Sequence, residues 1–184
     1  MKFIKFLLII FISINSAIKA DSKKILINEL QKEGKLIFIR HAYAPGGGDP
    51  NNFDIKDCNT QRNLSDIGKI QAKKIGAFFR DNNIPIKQIY SSEWCRCKET
   101  ALIAFKKFEK KKFLNSFFSS KFLKNKESQM KNLKEFIQNR KTNHNIIFVT
   151  HYVVINETLG YSSESGEIII FDENYNILGN IIIN

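Results

Sequence analysis

The chain has 184 residues, of which 43% are hydrophobic and 26% charged, with three cysteines and a formal charge of +11. That length suits one domain with a core of its own, and the composition excludes a disordered or collagen-like chain. Three cysteines are too few for a disulfide scaffold or a four-cysteine zinc site.

Met1–Ala20 (MKFIKFLLIIFISINSAIKA) carries Lys2 and Lys5, an apolar run from Phe6 to Ile14, and small residues at Ala17 and Ala20. This is the layout of a secretory signal peptide, and the run is shorter than the ~20 apolar residues a membrane span needs. We therefore expect a signal peptide over residues 1–20, one domain over 21–184, and an exported protein, periplasmic or secreted. An uncleaved anchor or a buried N-terminal helix is the other reading, and Ala17 an alternative cleavage point. Cleavage after Ala20 removes Lys2, Lys5 and Lys19 and no acid, lowering the charge by three to +8. That charge is mostly lysine and reads as solvated surface, with no nucleic-acid partner implied.

Lys23–Lys32 is expected to be helical, with Leu26 and Leu30 four apart and Gly34 as a stop. Lys35–Arg40 (KLIFIR) is a nearly continuous apolar run, the form of a strand covered on both faces. A loop with Gly46, Gly47 and Gly48 follows. Ser65 is placed as the N-cap of a helix running to about Arg80, with Ile67 and Ile70 one turn apart. After Pro85, Gln88–Ser91 reads as a strand and Glu93–Phe105 as a helix. Ser128–Asn139 is an amphipathic helix with Met130, Leu133 and Ile137 on one stripe. Asn145–Thr150 is a third buried strand, and a short helix should follow His151. Glu167–Phe171 and Ile177–Ile183 form a terminal hairpin around Asp172–Asn176. The fold class is thus α/β: a three-layer αβα sandwich with a mostly parallel central sheet and an antiparallel edge.

Sites in such sheets lie beyond the carboxyl ends of the strands. Three strands end there on Arg40-His41, Ser91-Ser92 and Thr150-His151, while Arg62 precedes a helix start and Arg96 lies in the first turns of another. Three guanidiniums and two imidazoles near helix N-termini suit a phosphate dianion. Zinc held by His41, His151 and a cysteine is disfavoured, because the neighbouring arginines would repel a cation.

Arg40-His41-Ala42, Arg62-Asn63-Leu64-Ser65-Asp66-Ile67-Gly68, Ser91-Ser92 through Arg96 to Thr100-Ala101, and Thr150-His151 resemble, in order, the four signatures of the histidine phosphatase superfamily (branch 1), the phosphoglycerate-mutase-like group. Ala42 stands where that family usually has glycine. The resemblance implies a phosphoglycerate-mutase-like fold, His41 as a nucleophile forming phosphohistidine, Arg40 and Arg96 as phosphoryl clamp, Arg62 extending it, and His151 donating to the same group. A nucleophilic histidine needs a neutral nitrogen whose partner nitrogen is held by a hydrogen bond, and arginines neutralise phosphoryl charge without a metal or other cofactor.

The general acid has no recognisable motif. Asp49 on the glycine loop is the candidate, with Glu167 as an alternative, and Glu109, Glu127 and Glu135 the only acids between the Arg96 helix and the last core strand. A member lacking a strong acid would do best with substrates whose leaving group needs little protonation, such as phosphohistidine or an acyl phosphate. One disulfide from Cys58 to Cys95 or Cys97 would brace two phosphate-binding segments. Residues 105–126 hold eight lysines and six phenylalanines, read as core rings with solvated lysines; within them, Asn115 to Phe118 would line the pocket mouth. The expected function is hydrolysis of a phosphomonoester or phosphoamidate on a small molecule or phosphoprotein. A non-catalytic phosphate or polyanion binder and a membrane-surface protein using residues 105–126 are the alternatives.

Overall fold

The computed structural model describes residues 23–183; the expected signal peptide lies outside them. Residues 23–31 form a helix, α1, whose Leu26 and Leu30 are both buried. Strand β1 (Leu36–Arg40) follows, then helix α2 (Asp66–Asp81), strand β2 (Gln88–Ser91) and helix α3 (Cys95–Phe105). A two-residue strand β3 (Glu109–Lys110), a short helix α4 (Ser120–Leu123) and helix α5 (Lys126–Gln138) lead to strand β4 (Ile146–Thr150). Helix α6 (Tyr152–Leu159) and the hairpin of β5 (Ile168–Phe171) and β6 (Ile177–Ile181) complete the fold.

The six strands form one sheet in the order β3-β2-β4-β1-β5-β6. The first four run parallel, and β5 and β6 are antiparallel at the edge. Side chains alternate across a strand, and the cores divide accordingly. Ile37, Ile39, Ile147, Val149, Ile168 and Ile170 face α1, α2 and α3, while Leu36, Phe38, Ile146, Phe148, Ile169 and Phe171 face α5 and α6. Every central strand is therefore apolar on both sides, which is why its sequence does not alternate.

Several local expectations shift. In α2 the Ser65 hydroxyl accepts from the Gly68 N–H, as an N-cap should. Ile67 and Ile70, however, are exposed; the face that packs is Gly68, Ala72, Ile75, Gly76 and Phe79. Gly68 is required there, since a Cβ would collide with the Tyr43 carbonyl. On α5, which begins at Lys126, Leu133 and Ile137 are buried and Met130 packs beside them. Within 105–126, Phe117 is buried, and Phe105, Phe108, Phe113 and Phe122 pack against the cores, whereas Phe118 is 59% exposed. The parallel pairing of β3 with β2 has no counterpart in the sequence pattern, since two residues carry too little of one. The disulfide joins Cys58 to Cys95, and Cys97 is a buried free thiol.

Candidate active site

Parallel strands β1, β4 and β2 end side by side, so the residues after them meet. His41 follows β1, His151 follows β4 as the N-cap of α6, and Ser92 follows β2 just before α3. The imidazoles of His41 and His151 lie edge to face with centroids 5.4 Å apart. Both are 2% exposed, and Arg96, on the first turn of α3, is 3% exposed. A cavity of about 340 Å³ opens above them, lined also by Arg40, Arg62, the Gly46–Asp49 loop and residues from Ser116 to Phe122.

The tautomer of His41 follows from its partners. Arg96 Nε donates to Nε2 at 3.2 Å, and a guanidinium can only donate, so Nε2 holds a lone pair. Nδ1 lies 2.8 Å from the Ala42 carbonyl and therefore carries the proton. Burial, and then the charges of Arg96, Arg62 and Arg40, hold His41 well below the ordinary imidazole range, although the Ala42 carbonyl acts the other way. His151 is depressed likewise, first by burial and then by Arg96 and its other charged neighbours. Its ring nitrogens are both engaged: Arg96 Nη2 reaches Nδ1 at 3.4 Å, and Nε2 lies 2.9 Å from Ser92 Oγ. Ser92 in turn donates to Asn115 Oδ1.

The three arginines are held differently. Arg40 donates to the Ser163 carbonyl at 2.6 Å and lies over the Tyr152 ring, 5.5 Å from its centroid, while its buried Nε has no partner. Arg62 donates to the Gly48 and Ala44 carbonyls, so it shapes the glycine loop as well as lining the cavity. Arg96 forms a two-point pair with Asp49, at 2.7 and 3.3 Å. Asp49 also accepts from Trp94 Nε1 at 3.0 Å and from the Arg62 N–H at 3.1 Å. Burial pushes the Asp49 carboxyl up, but these four donors outweigh it and hold it below its usual value. The expectation of a proton donor at Asp49 is thus at odds with its surroundings, which favour the carboxylate. Glu167 does not line the cavity. It is buried, bonded to Tyr161, the Glu164 N–H and Asn180, which removes it as an acid for this site.

Ala42 fits its place because the backbone there has no positive φ; it is fully buried, with its N–H on Thr100 Oγ1. Of Asn115 to Phe118, only Ser116 and Phe118 reach the cavity; Asn115 is spent on Ser92 and Glu93, and Phe117 is in the core. Trp94 and Tyr152 carry site contacts that no motif announced. Among the described residues, no group of three or more His, Cys, Asp or Glu is placed to hold a metal ion.

A parallel sheet presenting two imidazoles and three guanidiniums at its strand ends defines an α/β protein whose site has the chemistry to suit an oxyanion. Residues 36–115 match the model of the histidine phosphatase superfamily (branch 1), a match that spans the Arg40, Arg62 and Arg96 segments. No curated protein matches the sequence. Among solved structures, it is similar to SixA from Agrobacterium tumefaciens, with a TM-score of 0.58 and 15% identity over 82% of this chain and 98% of that one. The protein histidine phosphatase SixA complexed with tungstate gives 0.56 and 13% over 80% and 96%. Phosphoglycerate mutase from Thermus thermophilus gives 0.57 and 13% over 82% and 99%. At such identities the likeness is one of fold.

Proposed function

We propose that this protein is an exported, metal-independent phosphatase, periplasmic or secreted, that hydrolyses a phosphomonoester or phosphoamidate through a phosphohistidine on His41. The observation that carries this reading is the unprotonated Nε2 of His41 lying against Arg96, in a cavity also lined by Arg40 and Arg62. The lone pair attacks phosphorus while the guanidiniums neutralise the phosphoryl oxygens, which is most of what phosphoryl transfer asks of a protein. His151 lies beside His41 as a further polar partner for the transferring group. The fold likeness to SixA bound to tungstate, a tetrahedral oxyanion, is consistent with an oxyanion in this cavity.

A non-catalytic phosphate binder is the second reading, favoured by the ionised state of Asp49. A membrane-surface role for residues 105–126 is less favoured, since five of the six phenylalanines pack inward. The test is turnover of phenyl phosphate and acetyl phosphate by the purified protein with chelator present, together with trapping of an acid-labile, base-stable phosphoprotein. Both are expected in the wild type and absent in His41→Ala. Equal rates in the two proteins would refute the enzyme reading, and phosphate binding without turnover would establish the binder.

A further inference from the structure

The cavity holds more than the clamp needs. Its roughly 340 Å³ corresponds to the liquid share of about eleven waters, whereas a phosphate has five heavy atoms. Beyond the glycine loop, Pro50, Asn51, Ser116, Ser119 and Lys121, the remaining lining is five aromatic rings. Phe53 stacks on Trp94 at 5.0 Å, and Phe122 meets both rings edge-on at 5.4 Å. Phe118 lies edge-on to Tyr152 at 5.9 Å, and Tyr152 in turn covers the Arg40 guanidinium. Aromatic surface therefore runs from a clamp arginine to the rim. Phe118 is the one phenylalanine of residues 105–126 that no core claims, being 59% exposed where it borders the cavity.

A second observation is independent of the rings. The single carboxylate lining the cavity among the described residues is Asp49, and Arg96, Trp94 and the Arg62 N–H hold it ionised. A departing oxygen thus receives no proton from a side-chain carboxylic acid. That assistance is worth ~10²–10⁴-fold where it exists. A phenol titrates near pH 10, like tyrosine, so an aryloxide departs without it, while an alkoxide does not.

We infer that the aromatic half of the cavity is a leaving-group subsite, and that the substrates are aryl phosphates. The inference rests on the phosphatase reading above and narrows it. The His41 Nε2 lone pair forms the P–N bond as the ester P–O bond breaks. The electron pair of that bond stays on the aryl oxygen, which leaves as aryloxide along the aromatic lining and takes a proton from solvent. Water then adds to phosphorus and gives a proton to solvent. The P–N pair returns to Nε2, and inorganic phosphate is released.

The test compares kcat/KM of the purified protein for phenyl phosphate, free phosphotyrosine and a phosphotyrosine peptide with that for glycerol phosphate and acetyl phosphate. The aryl esters are expected to exceed glycerol phosphate by ~10²–10⁴-fold. Phe118→Ala should lower kcat/KM for phenyl phosphate by ~2–10-fold, chiefly through KM, with a smaller loss on ringless acetyl phosphate, and Phe118→Tyr should restore it. A preference for the peptide or for the free ester identifies the source of the ring, and either supports the subsite. Equal rates on phenyl and glycerol phosphates, or a Phe118→Ala loss that is the same for phenyl and acetyl phosphates, would overturn it. Failure of His41-dependent acetyl phosphate hydrolysis would instead overturn the phosphatase reading beneath it.

Discussion

Replacing Asp49 by asparagine separates two roles that this carboxylate can have. It lies 2.7 Å from Arg96 Nη1, with side-chain exposures of 15% and 4% for the two partners. At an effective dielectric of 20 the gross attraction over that distance is ~6 kcal/mol, part of which is offset by desolvation. Removing one partner of such a pair typically costs 3–5 kcal/mol, because the other charge is left buried and uncompensated. Asparagine keeps an oxygen for the Arg62 N–H, so about 3 kcal/mol is expected in the urea unfolding free energy. If Asp49 acts by fixing Arg96, the guanidinium that also contacts His41 and His151, misplacement should cost ~10²-fold in kcat/KM. That loss should be uniform across substrates. The assay is therefore a leaving-group series, from acetyl and phenyl phosphates to alkyl phosphates, measured for wild type and Asp49→Asn. A loss confined to poor leaving groups and vanishing for good ones would refute the positioning role and make Asp49 the general acid.

Three further outcomes follow from the disulfide and the two histidines. The Cys58–Cys95 bond closes a loop of 37-residue separation, for which chain entropy gives ~4 kcal/mol; the Cys58→Ser/Cys95→Ser double variant should lose about that much in urea unfolding, and an unchanged midpoint would contradict it. His41 and His151 both titrate well below the ordinary imidazole range when folded, so the unfolded chain binds their protons first. Stability should accordingly fall as the pH drops below ~6.5, while the acid limb of kcat/KM, which reports the free enzyme, should lie below pH ~6.5. A limb at or above 6.5 would show that the histidines are not held neutral.

The sheet is legible in the sequence because its central strands are covered on both faces, so Leu36–Arg40, Gln88–Ser91 and Ile146–Thr150 stand out as apolar runs ending on polar residues. The same ends locate His41, His151 and Arg96. What local pattern does not carry is pairing across the chain. Ile67 and Ile70 have the spacing of an inward face of α2, yet the packing is set by where Gly68 and Gly76 let α2 approach Tyr43 and α3. The choice of Cys95 over Cys97 depends on which thiol of α3 points toward the Cys58 turn, a matter of helix rotation. Asp49 stands out for its place on a glycine loop, but what holds its carboxyl low is Arg96 and then Trp94 and a backbone N–H, contacts across the chain that no spacing rule records.

The electrostatics of the cavity also tie the clamp to the nucleophile. Arg40, Arg62, Arg96 and Lys121 against the one carboxylate of Asp49 leave a net positive cavity around imidazoles that burial and these charges hold below their ordinary pKa range, which suits a phosphate dianion. Burial, and then the same excess of charge, disfavour protonation of His41, so the nitrogen that attacks in the proposed reaction keeps its lone pair. A pocket with a second carboxylate would gain a proton donor, but it would bind the dianion less well and let the nucleophile protonate more readily. Arginine pairing by Asp49 sits between those demands: it offsets one charge and orients Arg96. On the proposed reading, a site balanced in this way trades acid catalysis for a charged clamp and a free nucleophile, and so depends on a leaving group that can depart as an anion.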